Sequence, residues 1–259
     1  MNRLRIAFKY FLHFITAKNT HGFGVHSPFV FHFTEFVLNN KSTYYIFSSI
    51  EILRSLLKKD KRVLDITDFG TGKKVKKNIS EIAHKSIKSA KYGQLLYRLS
   101  VYSKTQNTLE FGTSLGLTTS YLASPSSSML CVSLEGCQQV ANIAVDNFKT
   151  LNIKNIQIVV GDIDITLLKV LNMFNQLDLV FIDANHKSEA VVNYFEQCLQ
   201  KVHNDTVLVV DDIYWSKDME TAWKMIKGHS RVTATIDLFQ LGIVFFNTDL
   251  QKKHYKMRF

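Results

Sequence analysis

Glu110-Phe111-Gly112-Thr113-Ser114-Leu115-Gly116 places an acid, two glycines and two hydroxyls directly after a short apolar run. Glycine at 112 lets backbone approach a ligand, and glycine at 116 permits a turn into a helix whose N-terminal amides favour electron-rich groups. Glu135, followed by Gly136, lies 23 positions after Gly112, a spacing at which a carboxylate accepts the hydroxyl hydrogens of a ribose. Val160-Gly161-Asp162 offers a carboxylate or an amide to an adenine edge. Phe181-Ile182-Asp183-Ala184-Asn185-His186 adds an acid and a histidine, and Val210-Asp211-Asp212-Ile213-Tyr214-Trp215 adds paired acids and two aromatics. The set suits a nucleoside-bearing cofactor beside a group that moves a proton. An imidazole titrates close to neutrality, which makes His186 the candidate base.

Each residue also has a plainer role. Asp183, Asp211 and Asp212 can cap helices, His186 can be an exposed loop residue, and Tyr214 and Trp215 can be core or interface aromatics. Acids closing five strands in succession are harder to assign to capping.

The elements that would position these residues follow from periodicity. From residue 105 the pattern alternates strands and helices, as in a parallel sheet with crossover helices. Strands are expected at 108–111, 130–134, 156–160, 179–182, 207–210, 232–238 and 243–247. The last two are separated by too few residues for a crossover, so they must pair antiparallel. Between 187 and 202, Val191, Tyr194, Phe195, Cys198, Leu199 and Val202 recur at helical steps. In the front part, Ser27-Pro28 reads as a helix start leading through Phe29, Val30, Phe33, Phe36 and Val37, with further helices expected over 44–58 and 79–103. Asp68 to Lys74 lacks phosphate-loop spacing and is expected to be a turn with basic flanks. The expected architecture is α/β, a Rossmann-like sheet of seven strands with its last strand antiparallel, preceded by a helical extension. This divides the chain into a basic cap region, 1–104, and a catalytic region, 105–259.

Of 259 residues, 46% are hydrophobic and 21% charged, ample for a buried core. No apolar run reaches membrane-spanning length, and Met1 to Lys18 lacks the apolar core and cleavage site of a signal peptide. Three cysteines without CxxC spacing point to a reduced, cytoplasmic setting. The net charge of +10 is uneven: residues 1–109 hold 19 Lys+Arg against 6 Asp+Glu, and the remainder 13 against 16. A basic front fits an anionic partner, whether nucleic acid, acidic lipid headgroups or a phosphorylated substrate, or simply a solvated surface.

Glu110 to Gly116 resembles the first motif, E-x-G-x-x-x-G, of class I S-adenosylmethionine-dependent methyltransferases, and in particular the catechol O-methyltransferase-like group. Tyr92-Gly93-Gln94-Leu95-Leu96 is similar to the helix before that motif, and the 181–184 and 210–215 segments to its fourth- and fifth-strand motifs. The whole chain, including His21 to Val30, also resembles a set of Bacteroidetes methyltransferases that brings no acceptor with it. The resemblance implies that Glu110, Gly112, Thr113, Ser114 and Gly116 surround the methionine part of S-adenosylmethionine. It places Glu135 and Gly136 at the ribose, and Gly161, Asp162 and Ile163 at the adenine. Asp183 would stand by the methyl donor, with a catalytic role shared with His186. Metal-dependent members hold Mg²⁺ with a carboxylate after the fourth strand and an Asp-Asn pair after the fifth, at the positions of Asp183, Asp211 and Asp212. This chain has Asp212 where Asn is usual and His186 where a lysine is frequent. The extra acid either strengthens metal binding or leaves the pair to orient substrate.

The expected function is O-methylation of a small-molecule acceptor, with a homodimer among the open assemblies. Two alternatives stay open. A nucleic-acid methyltransferase would use the basic front, although no base-flipping tetrad or RNA-recognition signature is present. A non-catalytic cofactor-binding module would retain the fold alone.

Overall fold

A computed structural model describes residues 3–68 and 73–259. In chain order the elements are α1 (Arg3–Thr16), α2 (Pro28–Phe33), α3 (Tyr45–Leu57), β1 (Val63–Asp68), β2 (Lys73–Asn78), α4 (Ile79–Lys85), α5 (Ala90–Tyr102), β3 (Asn107–Phe111), α6 (Leu117–Ala123), β4 (Leu130–Glu135), α7 (Gln138–Thr150), β5 (Ile156–Val160), α8 (Ile163–Leu171), β6 (Leu177–Ile182), α9 (Ser188–Cys198), β7 (Val202–Asp211), α10 (Lys217–Gly228), β8 (Ala234–Asp237), β9 (Leu241–Phe245) and β10 (Lys253–Lys256). The main sheet has strand order β10-β8-β9-β7-β6-β3-β4-β5. Without β10 this is the mixed, Rossmann-like order of seven expected strands. The structure corrects the count to eight, because β10 adds parallel to β8 at the edge. Its four residues carry two lysines, a composition suited to an edge strand and weak as a strand signal.

The chain forms two compact units, one of residues 41–175 and one of 1–40 with 176–259. In the first, β3, β4 and β5 pair in parallel, with Glu110 opposite Ser133 and Glu135 opposite Val160. Residues 79–103 form two helices rather than the single one expected. The break falls at Ser86 to Ser89, where Arg54 Nη1 donates to Lys88 O at 2.6 Å, and serines compete with helical hydrogen bonding. The front segment is also less helical than expected, because β1 and β2 form an antiparallel hairpin with Val63 opposite Asn78. The turn expected at Asp68 to Lys74 falls on residues 69–72, which lie outside those described. Gly93 lets α5 lie against α6: a Cβ there would come 2.4 Å from Tyr121 Cδ2. Tyr121 is fully buried with Phe47, Ile50 and Leu117 in the core of this unit.

In the second unit, β6 and β7 are parallel, while β9 runs antiparallel to both β7 and β8. All six residues of β6 are buried, as its continuous apolar run requires. On α9, Val191, Tyr194, Phe195 and Cys198 are buried, the face that periodicity picked out. Gly242 on β9 makes room for Trp223, whose Cη2 would lie 2.6 Å from an added Cβ. The Ser27 cap is present, with Oγ accepting from Val30 N and Pro28 opening α2; a π-helical turn, Thr34–Leu38, then carries the chain through Phe36 and Val37.

Candidate functional site

The motif loop after β3 is built from left-handed backbone. Gly112 has φ 96°, Ser114 φ 49° and Gly116 φ 78°. At Gly116, where α6 begins, a Cβ would also meet Phe148 Cε1 at 2.5 Å, so both conformation and packing require glycine. The amides of Gly112 and Thr113 donate to Leu134 O at 2.9 and 3.1 Å, tying the loop to β4. Ser114 N then donates to Glu135 Oε2 at 2.8 Å, and Cys137 N to Glu135 Oε1 at 2.9 Å. The motif loop and the acid ending β4 are therefore one assembly. Burial pushes the Glu135 carboxyl upward, against hydrogen bonds from the amides of Cys137, Ser114 and Gly136.

Glu110 lies behind this loop, fully buried. Ser133 Oγ donates to its Oε2 at 2.6 Å and Thr119 Oγ1 donates to the same oxygen. Thr113 Oγ1 lies 2.6 Å from Ser133 Oγ, which continues the array under the loop. Glu110 Oε1 is buried with no hydrogen-bond partner. Desolvation raises the carboxyl to about 8, against the two hydroxyl donors. Glu110 thus underpins the loop from inside the sheet. At the end of β5, Gly161 has φ 146°, and the Asp162 side chain caps α8 by accepting from Asp164 N at 2.9 Å. Ile163 is half-buried at the start of that helix.

In the other unit, Asp183 is half-buried just after β6, and His186 is exposed with its ring centroid 6.5 Å from that of Trp215, itself exposed. Asn185 turns through φ 48° and its Nδ2 donates to Tyr194 OH at 3.3 Å. Ser188 N and Oγ both donate to the Asp218 carboxylate, at 2.6 and 2.8 Å, which joins the start of α9 to that of α10. Asp211, the last residue of β7, is 1% exposed and sits opposite Leu241. Asp212 follows with φ 52°, a conformation that Asp and Asn tolerate better than most residues. Among the described residues no three His, Cys, Asp or Glu side chains gather as a metal-binding group.

Periodicity did not single out a second cluster. Tyr214 OH donates to Asp237 Oδ2 at 2.6 Å, Phe239 N donates to Asp237 Oδ1 at 2.9 Å, and His13 Nε2 lies 3.0 Å from Oδ1. Burial pushes the Asp237 carboxyl upward, but these partners outweigh it and hold it below the usual range. Arg5 Nη2 donates to the carbonyls of Tyr214 and Trp215 at 3.2 and 3.0 Å, so α1 grips the segment after β7. The one sequence signal was the recurrence of Arg5, Lys9 and His13 at four-residue steps on α1.

Residues 109–213 match a family model described as a methyltransferase domain. No curated protein matches the chain. Among solved structures, the O-methyltransferase from Bacillus cereus in complex with S-adenosylhomocysteine is similar at 19% identity and TM-score 0.56, covering 83% of this chain and 95% of that one. The O-methyltransferase TomG from Streptomyces achromogenes, involved in tomaymycin synthesis and bound to S-adenosylmethionine, matches at 21% identity and TM-score 0.54, covering 77% and 96%. A Podospora anserina methyltransferase with S-adenosylhomocysteine bound matches at 12% identity and TM-score 0.55, covering 80% and 99%. The chain has the Rossmann-like fold of the class I methyltransferases. Within that class, the similar structures named as O-methyltransferases share the fold over most of their length.

Proposed function

We propose that this chain is an S-adenosylmethionine-dependent methyltransferase that methylates an oxygen of a small molecule. The observation that carries the reading is the hydrogen bond from Ser114 N to Glu135, which joins the glycine loop to the acid ending β4 in a methyltransferase fold. An ionised carboxylate has about four acceptor positions. Ser114 N and Cys137 N each take one, on different oxygens, and the Gly136 amide takes a third, so about one position stays open for a ribose hydroxyl. The residues thus fit the cofactor. Gly112, Thr113, Ser114 and Gly116 would hold its methionine part, Glu135 and Gly136 the ribose, and Asp162 and Ile163 the adenine end.

When bound, the cofactor supplies an activated methyl group. The chain's own work is to hold the partners in line, with Asp183 beside the donor. His186, exposed beside Trp215, takes the proton from the acceptor hydroxyl. In this reading residues 105–259 carry cofactor and transfer, and residues 1–104 supply acceptor contacts. The three cysteines are free and buried, which suits a reducing, cytoplasmic setting. The similarity of fold to O-methyltransferases with cofactor or its product bound supports the reading.

The test is a panel of small hydroxylated acceptors, with RNA and DNA included, incubated with methyl-labelled S-adenosylmethionine. Label should move to a small hydroxylated compound, and His186→Ala should slow that transfer by about 10²–10⁴-fold. Transfer to nucleic acid alone would replace the small-molecule reading, and transfer unaffected by His186→Ala would remove the histidine from it.

A further inference from the structure

The charged face of α1 points inward and its apolar face points out. Arg5 and Lys9 both pair with Glu220, and His13, 4% exposed, contacts Asp237. These residues stand at four-residue steps, so one helical stripe holds all three cationic or basic groups between Leu4 and Ala17. A different stripe, Leu4, Phe8, Phe11 and Ile15, is 82%, 61%, 58% and 56% exposed. A helix packed on a protein core ordinarily has the reverse arrangement, and contiguous exposed apolar surface of this kind marks an interaction site.

The rim of this stripe is basic. Arg258 stacks 3.9 Å over the Phe14 ring and its Nε donates to Phe14 O; Lys256 Nζ donates to Thr16 Oγ1. Residues 1–34 and 250–259 together contain eight Lys+Arg and no Asp or Glu. Arg5 and Lys9 are committed to Glu220, which leaves the cationic excess at the helix ends and along the C-terminal segment.

We propose that the outward face of α1 docks on an anionic lipid surface. The helix would lie in the interface with Leu4, Phe8, Phe11 and Ile15 entering the acyl boundary, while Lys18, Lys256 and Arg258 meet acidic headgroups. No helix of the described residues is long and apolar enough to cross a membrane, so the contact is one of surface docking. A second copy of the chain is a poorer occupant. A two-fold apposition of the stripe would set one basic rim against another, whereas an acidic bilayer complements both the apolar stripe and its rim. The proposal is independent of methyl transfer.

Co-sedimentation of the full chain with vesicles tests it, comparing pure phosphatidylcholine with an equal mixture of phosphatidylcholine and phosphatidylglycerol. The chain should partition onto the mixed vesicles, less onto neutral ones, and less as salt rises. The double change Phe8→Ser with Phe11→Ser removes exposed rings only and should weaken binding by roughly tenfold or more, with an unchanged circular dichroism spectrum. Lys18→Glu with Lys256→Glu should abolish the preference for the acidic vesicles. The proposal is overturned by failure of the unaltered chain to bind the mixed vesicles, or by equal binding of the serine double variant. Light scattering that shows a dimer dissociated by that variant would assign the stripe to a second copy and overturn it equally.

Discussion

His13 Nε2 lies 3.0 Å from Asp237 Oδ1, and both side chains are buried. The contact fastens α1 to the end of β8, and because Tyr214 OH donates to the other Asp237 oxygen, the same carboxylate fixes an aromatic just beyond β7. Asp237→Ala leaves the Tyr214 hydroxyl and Phe239 N without their acceptor. It should cost on the order of 2–4 kcal/mol in urea unfolding. A loss under about 0.5 kcal/mol would show that the cluster does not hold these segments.

The same carboxylate gives a pH signature. Its folded value is lowered, so its contribution to stability is present above the ordinary carboxylate range and fades as pH falls through the lowered folded value. The gap in melting temperature between the unaltered chain and Asp237→Asn should therefore narrow between neutral pH and about pH 3. A gap constant over that range would contradict the assignment.

Glu110 behaves in the opposite sense. Burial raises its carboxyl to about 8, so the folded state holds the proton more tightly than the unfolded chain. Its contribution is complete below the ordinary Glu value and lost as pH rises through the folded value. Glu110→Gln removes that titration. Relative to the unaltered chain, the variant should gain stability from pH 5 to pH 9, by an amount on the order of 3–5 kcal/mol. A difference that does not grow with pH would place the Glu110 carboxyl in a wetter setting than its burial implies.

Two glycines offer a test of packing apart from chemistry. Gly93→Ala would drive a methyl into the Tyr121 ring, and Gly242→Ala into Trp223. Each should destabilise the fold by about 1–3 kcal/mol, measured by thermal or urea unfolding. Neutral outcomes would mean that these rings shift freely, despite Tyr121 and Trp223 being among the largest fully buried side chains.

Much of the fold was legible because the main strands are short apolar runs closed by acids or glycine. Strand β5 was read to the residue, and the buried face of α9 was visible in its three- and four-residue steps. The hairpin and β10 were not legible. Lysines in β2 and β10 mask the alternation, and what makes these segments strands is backbone pairing, Val63 with Asn78 and Lys253 with Ala234. Types and spacing identified the loop acids, but not their division of labour. Glu110 turns inward to Thr119 and Ser133, Glu135 holds Ser114, and Asp162 caps α8. Such differences depend on backbone torsions at Gly112, Ser114 and Gly116 that residue types alone do not specify. The His13–Asp237–Tyr214 cluster joins positions over two hundred residues apart in the chain, beyond the reach of local pattern.

Calorimetric titration with S-adenosylmethionine is the most direct measurement of the central claim. Saturable binding to the unaltered chain is expected, weakened at least about tenfold by Glu135→Ala, which removes the acceptor of Ser114 N, and abolished by Gly112→Arg, which places a side chain in a left-handed loop position. No heat from the unaltered chain, or equal affinity in all three proteins, would contradict it.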